Sequence, residues 1–511
     1  MHIAFLNPQG NFDPQDSYWT EHPDFGGQLV YVKQVALAME EMGHTVDILT
    51  RHIIDPEWPE FSEPIDHYRG APGLRILRFR AGPDEFMRKE LLWPHLVRDF
   101  VPNLLAFYRE EGRLPDAFTG HYGDGGLCGV LIEDETGVPF TFTAHSLGAQ
   151  KMDKLGVTPE NLAEVDAHYH FARRLVAERL SMNRSGINIT STHQERREQY
   201  AHIAYRDAVD VDDDRRFAVI PPGVNLEIFG KDVTNSEEVE THAHVREMLA
   251  RDLSHDRQEL PAIIASSRLD PKKNHIGLVR AFAESPSLQE KANLVLFIGG
   301  LSNPLREDGG ASETEQEVLN EIRQVVEDHD LRGKISAFAL RGQPALAAAY
   351  RFFAEQGSVF ALTALYEPFG LAPLEAAAAG LPLVVTQNGG PSESLREDGT
   401  EYGVLVNPTD FDDIAQGLLR LLGDRESWET FARRGRQRVL DRYTWERTAE
   451  GYLDQIEMIV AHPGARRPAS LLPLHPYFKK PIPEHDVTLA ELHALYFVGL
   501  GQEEEGVGDT T

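Results

Sequence analysis

The sequence predicts an α/β protein built from two units, each containing a parallel β-sheet. The chain has 511 residues, which is too long for one ordinary hydrophobic core. Strand-like and helix-like segments alternate along its first half, and this alternation restarts after the turn-rich segment 221–225. Polar and charged residues suited to chemistry directly follow several of the predicted strands. Parallel sheets bind their ligands beyond those carboxyl ends.

The first half of the chain predicts one such sheet. Leu29 to Met42 has the pattern of an amphipathic helix, and Gly43 predicts where that helix ends. Thr192 and Glu195 form a capping-box pattern that opens a later helix. The strand-like segments are residues 2–7, 45–50, 74–79, 117–120, 140–143, 187–191 and 217–220.

The second half predicts another sheet, followed by a proline-rich end. Proline becomes frequent after His462, and residues 489–500 can form one short docking helix. The acidic segment 501–511 has the composition of a disordered tail. The strand-like segments of the second sheet are residues 261–266, 293–299, 334–339, 358–363 and 382–386.

Composition excludes several classes of function. The formal net charge is -31, with 81 acidic and 50 basic residues, so a nucleic-acid-binding protein is disfavoured. The single cysteine, Cys128, lies in an apolar run and is expected to be a buried packing residue that forms neither a disulfide within the chain nor a zinc cluster. The N-terminus lacks the basic region of a signal peptide, and no apolar stretch is long enough to span a membrane. We therefore expect a cytoplasmic protein.

The most informative segment runs from Glu367 to Gly380. Pro373 suits the first turn of a helix and Gly380 suits its end, which places Glu367 in the preceding loop and Glu375 in the first helical turn. The backbone N–H groups of residues 369–371 would lie at the positive helix N-terminus, which favours a phosphate. Two carboxylates beside it can accept hydrogen bonds from sugar hydroxyls.

Other candidate phosphate ligands follow predicted strands or open helices. Arg268 and Lys273 come after the strand that ends at Ser266, and together they can neutralise a diphosphate without a metal. Gly26 and Gly27 open the first long helix, where they allow close approach of an anion or simply form a tight turn. The glycine loop at 388–393 could equally contact phosphate through its N–H groups or only turn the chain.

The first half also concentrates positive charge around a histidine. His145 follows the strand at 140–143, and its loop supplies Ser146, Gln150 and Lys151. A second phosphate-bearing ligand would explain the grouping of basic residues, whereas helix-surface ion pairing with Glu164, Asp166 and Glu178 is the alternative for the arginines. The basic residues concerned are Lys89, Lys151, Lys154, Arg173, Arg174 and Arg179.

The spacing of Glu367 and Glu375 resembles the Glu-x7-Glu motif of retaining glycosyltransferases with the GT-B fold. Over residues 1–455 the chain is similar to the bacterial sucrose-phosphate synthases. The segments that carry this similarity are 5–10, 18–28, 121–126, 145–151, 220–224, 267–274 and 367–370.

The resemblance implies two Rossmann-like domains facing each other across a cleft. An N-terminal acceptor-binding domain would span residues 1–225, rejoined by helices within 445–500, and a C-terminal nucleotide-sugar-binding domain would span 226–445. The donor would be held by Gly27, Arg268, Lys273, Glu367, Phe369, Gly370, Leu371 and Glu375. The acceptor would be held by Gly26, Gln28, Lys89, Tyr122, Lys151 and Arg174. Catalysis would involve His145, Glu367, Arg268 and Lys273.

The implied reaction moves glucose from UDP-glucose to fructose 6-phosphate with retention, giving sucrose 6-phosphate and UDP. No metal site and no required cofactor are expected, and Mg²⁺ would at most stimulate. A separate sucrose-phosphate phosphatase would act downstream. The alternatives are a sucrose synthase that uses free fructose, a mannosylfructose-phosphate synthase that uses GDP-mannose, and a catalytically silent sugar-phosphate sensor.

Overall fold

A computed structural model describes residues 1–19, 25–235, 237–307 and 310–498. The acidic tail predicted at 501–511 lies outside these residues. The chain divides into two compact units: unit 1 comprises residues 1–221 and the residues from 448 onward, and unit 2 comprises residues 222–447. The sequence places the corresponding boundaries near 225 and 445.

Unit 1 contains an eight-stranded sheet in the order β3-β4-β2-β1-β5-β6-β7-β8. All neighbouring strands are parallel except β3, which pairs antiparallel with β4 at the edge. The strands are β1 (His2–Leu6), β2 (Thr45–Arg51), β3 (Ile65–His67), β4 (Leu74–Phe79), β5 (Ala117–His121), β6 (Phe140–Thr143), β7 (Ile187–Thr190) and β8 (Phe217–Val219).

The predicted strands of unit 1 are all present, with ends shifted by no more than one residue. They are recognisable because central parallel strands are covered on both faces and read as apolar runs; every residue of β1 is buried. The edge strand β3 was missed. It has only three residues, two of them exposed, so it lacks that apolar signal.

The helices of unit 1 cover its sheet. The predicted helix at 29–42 is α1, and Gly43 follows it with a positive φ of 87°. Thr192 caps α8 by accepting a hydrogen bond from the N–H of Glu195, as the capping-box pattern predicts. The helices are α1 (Gly27–Glu41), α2 (Trp93–His95), α3 (Val101–Glu110), α4 (Tyr122–Thr136), α5 (Gly148–Lys154), α6 (Leu162–Tyr169), α7 (Phe171–Arg184) and α8 (His193–Glu198).

Helix α4 packs unusually close to the sheet because its first turns are rich in glycine. A Cβ atom on Gly125 would lie 2.2 Å from the carbonyl oxygen of Leu6, and one on Gly126 would lie 2.4 Å from Oγ of Ser181. Cys128, on the same helix, is fully buried, as predicted. The absence of a side chain at Gly125 therefore allows the start of α4 to lie directly against the end of β1.

The proline-rich end of the chain packs on unit 1. Tyr477, Phe478 and Leu492 are buried in its core. The docking helix predicted at 489–500 is observed as Leu489–His493, which continues as a π-helical turn over Ala494–Val498; residues 499 and 500 are not described.

Unit 2 contains a six-stranded, fully parallel sheet in the order β11-β10-β9-β12-β13-β16. Ile263 and Ile264 enter core clusters on opposite faces, as the alternation of a strand requires. The strands are β9 (Ala262–Ser266), β10 (Asn293–Phe297), β11 (Ile335–Phe338), β12 (Val359–Leu362), β13 (Leu383–Thr386), β14 (Arg396–Glu397), β15 (Thr400–Glu401) and β16 (Val404–Val406).

The five predicted strands of unit 2 are present, but β16 and the β14–β15 hairpin were not predicted. These three strands have only two or three residues each, so the sequence does not separate them from loops. The helices of this half are α9 (Leu226–Phe229), α10 (Glu238–Asp252), α11 (His275–Ala283), α12 (Pro286–Lys291), α13 (Glu313–Asp328), α14 (Gly342–Glu355), α15 (Leu371–Ala378), α16 (Pro391–Ser394), α17 (Phe411–Leu422) and α18 (Arg425–Arg442). Three helices follow them: α19 (Trp445–Ala461), α20 (Pro476–Lys479) and α21 (Leu489–His493).

Candidate functional site

Several predicted site residues follow strands at or next to the topological switch point of each sheet. In unit 1 the chain order reverses at β1, which pairs with β2 on one side and β5 on the other; in unit 2 it reverses at β9, between β10 and β12. Ligands of open parallel sheets bind outside the carboxyl ends of strands at such points. His145 follows β6, Arg268 follows β9, and Glu367 follows β12.

In unit 2, Lys273 and Glu367 form an ion pair across the switch point. Lys273 Nζ lies 2.7 Å from Glu367 Oε2. Glu367 is 9% exposed, so water screens the pair only weakly. Arg268, in the turn after β9, is exposed, so its guanidinium is accessible to an anionic ligand.

Asn274 joins the loops that carry these residues, and the sequence reasoning did not assign it a role. Its Nδ2 donates to the carbonyl oxygens of Thr363 (3.0 Å) and Pro408 (2.8 Å), and its Oδ1 accepts from the N–H of Gly277 at 3.2 Å. Its φ is 53°, in the left-handed region that asparagine tolerates better than most residues. That tolerance is the signal that could have identified it.

The glycine loop at 388–390 supports the Glu367 loop through backbone contact. The N–H of Glu367 donates to the carbonyl of Asn388 at 3.1 Å, and the N–H of Gly390 donates to the carbonyl of Glu367 at 2.9 Å. A Cβ on Gly389, whose φ is 98°, would lie 2.1 Å from that Glu367 carbonyl oxygen. These contacts give the loop a structural role, and its predicted contact with phosphate stays a prediction.

The start of α15 has the expected form. Gly370 is the N-cap residue of this helix and has a φ of 92°. Phe369 in the loop and the exposed Leu371 lie on either side of Gly370, next to the first free N–H groups of the helix. Gly380 follows its end with a φ of 102°, as predicted. One detail was wrong: Glu375 is the fifth helical residue and lies just beyond the first turn, because the helix already begins at Leu371. Burial raises the pKa of Glu375 to about 7.

In unit 1 a cavity of about 250 Å³ brings together four of the six predicted acceptor ligands. We call it the acceptor cavity. It is lined by Lys89, Tyr122, Lys151 and Arg174, together with Gln9, Glu90, Trp93, Gly123, Asp124, Ser146, Tyr169 and Phe171.

The remaining predicted ligands lie near the start of α1. Gln28 does not line the cavity, but its Oε1 accepts a hydrogen bond of 3.0 Å from Nε2 of Gln9, which does. Gly26 and Gly27 are exposed, and a Cβ on either would meet no described atom within 4 Å. Internal packing among the described residues therefore does not require glycine at these positions.

Arg174 is held in place by Glu178, a residue that the sequence suggested only as an ion-pair partner. Arg174 Nε donates to Glu178 Oε1 at 2.8 Å, and the guanidinium also donates to the carbonyl of Ser146 at 2.8 Å. Glu178 is fully buried and also accepts hydrogen bonds from the N–H of Gly148 and the hydroxyl of Tyr205. Both alternatives for Arg174 are thus compatible, since it pairs with Glu178 and still lines the cavity.

Two neighbouring arginines point elsewhere. Arg173 pairs with Asp486 at 2.7 Å, and Arg179 donates to the carbonyl oxygens of Ala204 and Arg206. Lys151, in contrast, holds its ammonium 4.2 Å from the centre of the Tyr169 ring at the cavity wall. The aromatic face stabilises that charge.

His145 belongs to a buried chain of hydrogen bonds. Its φ is 54°, and its Nε2 lies 2.8 Å from Nδ1 of His121. His121 Nε2 in turn lies 3.2 Å from Oγ1 of Thr119. Burial lowers the pKa of His145 to about 3, so the ring is neutral at physiological pH. His121 was assigned no role from the sequence, because its contact with His145 depends on the pairing of β5 with β6.

Comparison with known proteins identifies the family of the chain. The family model for "Glycosyl transferases group 1" matches residues 251–438, and that for "Glycosyl transferase 4-like domain" matches residues 26–211. A probable sucrose-phosphate synthase of Thermosipho melanesiensis is 41% identical over 457 residues, covering 89% of this chain and 96% of that protein. The chain belongs to the sucrose-phosphate synthase family.

Other members of the family differ in length. The sucrose-phosphate synthase of Spinacia oleracea is 33% identical over 512 residues, which cover 89% of this chain but 47% of the spinach protein. The structure of the sucrose-phosphate synthase from Thermosynechococcus elongatus is similar with a TM-score of 0.61 and 25% identity, covering 90% of this chain and 99% of that one. The expected fold, GT-B with two Rossmann-like domains, is confirmed.

Two further observations concern the described residues alone. No helix among them is both long and apolar enough to cross a membrane. Nor does any group of three or more His, Cys, Asp or Glu side chains in the described ranges have an arrangement that could hold a metal ion.

Proposed function

We propose that this sucrose-phosphate synthase family member transfers glucose from UDP-glucose to the 2-hydroxyl of fructose 6-phosphate, giving sucrose 6-phosphate and UDP. The observation that carries the choice of acceptor is the acceptor cavity, which is lined by three basic side chains: Lys89, Lys151 and Arg174. Free fructose offers these cations no negative partner. A phosphate monoester, with nearly two negative charges at neutral pH, does.

The donor would bind at the switch point of unit 2. Arg268 and Lys273 would meet the diphosphate, and the N-terminus of α15 would add its partial positive charge. Glu367, which now pairs with Lys273, would accept hydrogen bonds from the sugar. Glu375 would accept one from the ribose. These cations would stabilise the negative charge that develops on the leaving UDP.

The transfer would retain the anomeric configuration. The bond between the anomeric carbon and the diphosphate oxygen breaks, the bond to the acceptor O2 forms on the same face, and the departing phosphate oxygen takes the acceptor proton. The protein would hold the acceptor hydroxyl in line and exclude water from the reacting carbon. His145 would assist as a neutral ring or through its carbonyl, since its lowered pKa rules out a standing positive charge at neutral pH.

Product analysis with purified protein tests this function directly. The protein is incubated with UDP-glucose, ADP-glucose, GDP-glucose or GDP-mannose, each with fructose or fructose 6-phosphate, and products are identified by mass spectrometry and NMR. Sucrose 6-phosphate formed from UDP-glucose and fructose 6-phosphate is the expected result. Efficient use of free fructose as the acceptor would support a sucrose synthase. Transfer of mannose from GDP-mannose would support a mannosylfructose-phosphate synthase. Binding of the sugar phosphate without any transfer would support a sensor.

Three further expectations accompany the proposal. The reaction should need no metal, with at most stimulation by Mg²⁺. The protein should act in the cytoplasm, where a phosphorylated acceptor and a nucleotide-sugar are both supplied. A separate sucrose-phosphate phosphatase should consume the product.

A further inference from the structure

Two buried side chains of the acceptor cavity carry polar atoms that no other side chain of the described residues bonds. Asp124 is 6% exposed, and its carboxylate has only the N–H groups of Asp124 and Gly125 in its own helical turn beside it; Trp93 is 5% exposed, and its Nε1 has no hydrogen-bond partner among the described residues. Both residues line the cavity. Buried polar groups are nearly always hydrogen-bonded in folded proteins, so two such poorly bonded groups in one cavity are unusual and need a physical explanation.

Their placement in the fold does not provide one. Asp124 lies in the first turn of α4, where the helix dipole favours a negative charge. Burial nevertheless dominates and raises the pKa of Asp124 to about 6, against the opposing influence of adjacent helix N–H groups, Arg174 and Lys89. The carboxylate is thus held at an energetic cost that these groups offset only in part.

Both groups are held rigidly at the cavity wall. The close contact of Gly125 with Leu6 fixes the turn that carries Asp124, and Trp93 packs in the unit 1 core with its ring 6.4 Å from that of Phe478. Water can bond both polar groups in the free protein, and a ligand would then replace that water.

The chemistry of the two groups identifies what the ligand must carry. An ionised carboxylate only accepts hydrogen bonds, and an indole N–H only donates. A phosphate dianion also only accepts, so it cannot bond an ionised Asp124 and would be repelled by it. Hydroxyl groups both donate and accept, so they can bond both groups.

We propose that Asp124 and Trp93 determine acceptor specificity by binding hydroxyl groups of the sugar, with Asp124 accepting from one hydroxyl and Trp93 Nε1 donating to a sugar oxygen. Lys89, Lys151 and Arg174, which line the same cavity, then bind the phosphate. This inference rests on the proposed function for the identity of the acceptor.

The test is calorimetric titration of wild type, Asp124→Asn, Asp124→Leu and Trp93→Phe with two ligands, fructose 6-phosphate and inorganic phosphate, in the presence of UDP. Thermal unfolding and circular dichroism establish that each variant is folded. We expect Asp124→Leu and Trp93→Phe to weaken fructose 6-phosphate binding about tenfold or more, and Asp124→Asn to weaken it less, since an amide oxygen still accepts. Inorganic phosphate should bind the Asp124 variants as tightly as wild type or more tightly, because the like charge is gone.

Lys151→Ala is the matched control and should weaken both ligands. Folded variants at Asp124 and Trp93 that bind fructose 6-phosphate within twofold of wild type would overturn the inference. An equal loss for both ligands in the Asp124 variants would also overturn it, since the carboxylate would then only support the cations.

The inference and the proposed function fail differently. If the wild-type protein forms sucrose 6-phosphate and the variants bind fructose 6-phosphate normally, only the inference is contradicted. Wild type that neither binds fructose 6-phosphate nor transfers glucose to it contradicts the proposed function, and the inference falls with it.

Discussion

Lys273 Nζ lies 2.7 Å from Glu367 Oε2, and this ion pair joins the turn after β9 to the loop after β12. Glu367 is 9% exposed, so its carboxylate is mostly shielded from water and depends on Lys273 for a counter-charge. Breaking such a pair leaves an uncompensated charge in a poorly solvated place. The pair therefore organises the proposed donor site before any ligand is present.

The donor-site assignment predicts that Glu367→Ala and Arg268→Ala each lose most transfer activity while remaining folded. Removing a preorganised group that stabilises developing charge typically costs on the order of 10²–10³ in rate. Steady-state kinetics with UDP-glucose and fructose 6-phosphate measures the effect. Lys272→Ala, an exposed neighbour in the same turn, serves as the control and should retain activity. Normal turnover by both folded variants would contradict the assignment.

Transfer is expected to proceed without a divalent metal, because Arg268 and Lys273 supply the positive charge that a metal would otherwise provide. Protein dialysed against EDTA and assayed in EDTA should keep substantial activity, and added Mg²⁺ should at most stimulate it. Complete loss in EDTA that Mg²⁺ or Mn²⁺ restores would show that these two cations are insufficient.

Replacing Lys151 with alanine should raise the Michaelis constant for fructose 6-phosphate by roughly tenfold or more. A partly desolvated, charge-assisted contact contributes roughly 1.5–3 kcal/mol, and about 1.4 kcal/mol corresponds to a factor of ten. The constant for UDP-glucose should change little. Lys154→Ala is a matched control, since Lys154 is exposed on the same helix and does not line the cavity. Equal effects of the two variants would contradict a phosphate contact at Lys151.

Gly389→Ala should destabilise unit 2 more than Gly399→Ala. Both glycines have positive φ angles, 98° and 76°, so the backbone strain is shared. Only at Gly389 would the new Cβ collide with protein, 2.1 Å from the carbonyl oxygen of Glu367. We expect Gly389→Ala to have the lower unfolding free energy, by more than about 1 kcal/mol, and weaker UDP binding. Denaturant unfolding and calorimetry measure both quantities, and similar values for the two variants would be inconsistent with the structure.

Acid should destabilise wild type more than His275→Gln. Burial lowers the pKa of His275 to about 4, whereas an unfolded histidine titrates near 6.5. At pH values between these two, His275 is protonated in the unfolded chain but not in the folded protein. The free energy of unfolding that His275 contributes above about pH 6.5 is therefore lost as the pH falls toward 4. Melting temperatures measured from pH 7.5 to 4.5 should therefore fall less steeply for His275→Gln. His255→Gln, at an exposed position, should follow wild type; identical slopes for all three proteins would contradict the prediction.

The longer strands of both sheets and most of the candidate ligands can be predicted from the sequence. Buried parallel strands are apolar runs, and their periodicity is a local property of the chain, so β1 and β9 to β13 could be located from it. Residues that directly follow such strands, including Arg268 and Glu367, must lie at the ligand-binding edge of the sheet. Short edge strands such as β3 and β16 carry too few residues for that signal.

Most of the long-range contacts in the candidate site depend on the three-dimensional fold. Of three neighbouring basic residues in α7, Arg174 lines the acceptor cavity while Arg173 and Arg179 bond elsewhere. His121 contacts His145, and Asn274 contacts Thr363 and Pro408, across segments far apart in sequence. Glu178, in contrast, pairs with Arg174 one turn away in the same helix, a contact that the sequence suggested. Whether another side chain bonds Asp124 depends on every element around it. Such contacts follow from packing in three dimensions, which no local pattern of residues records.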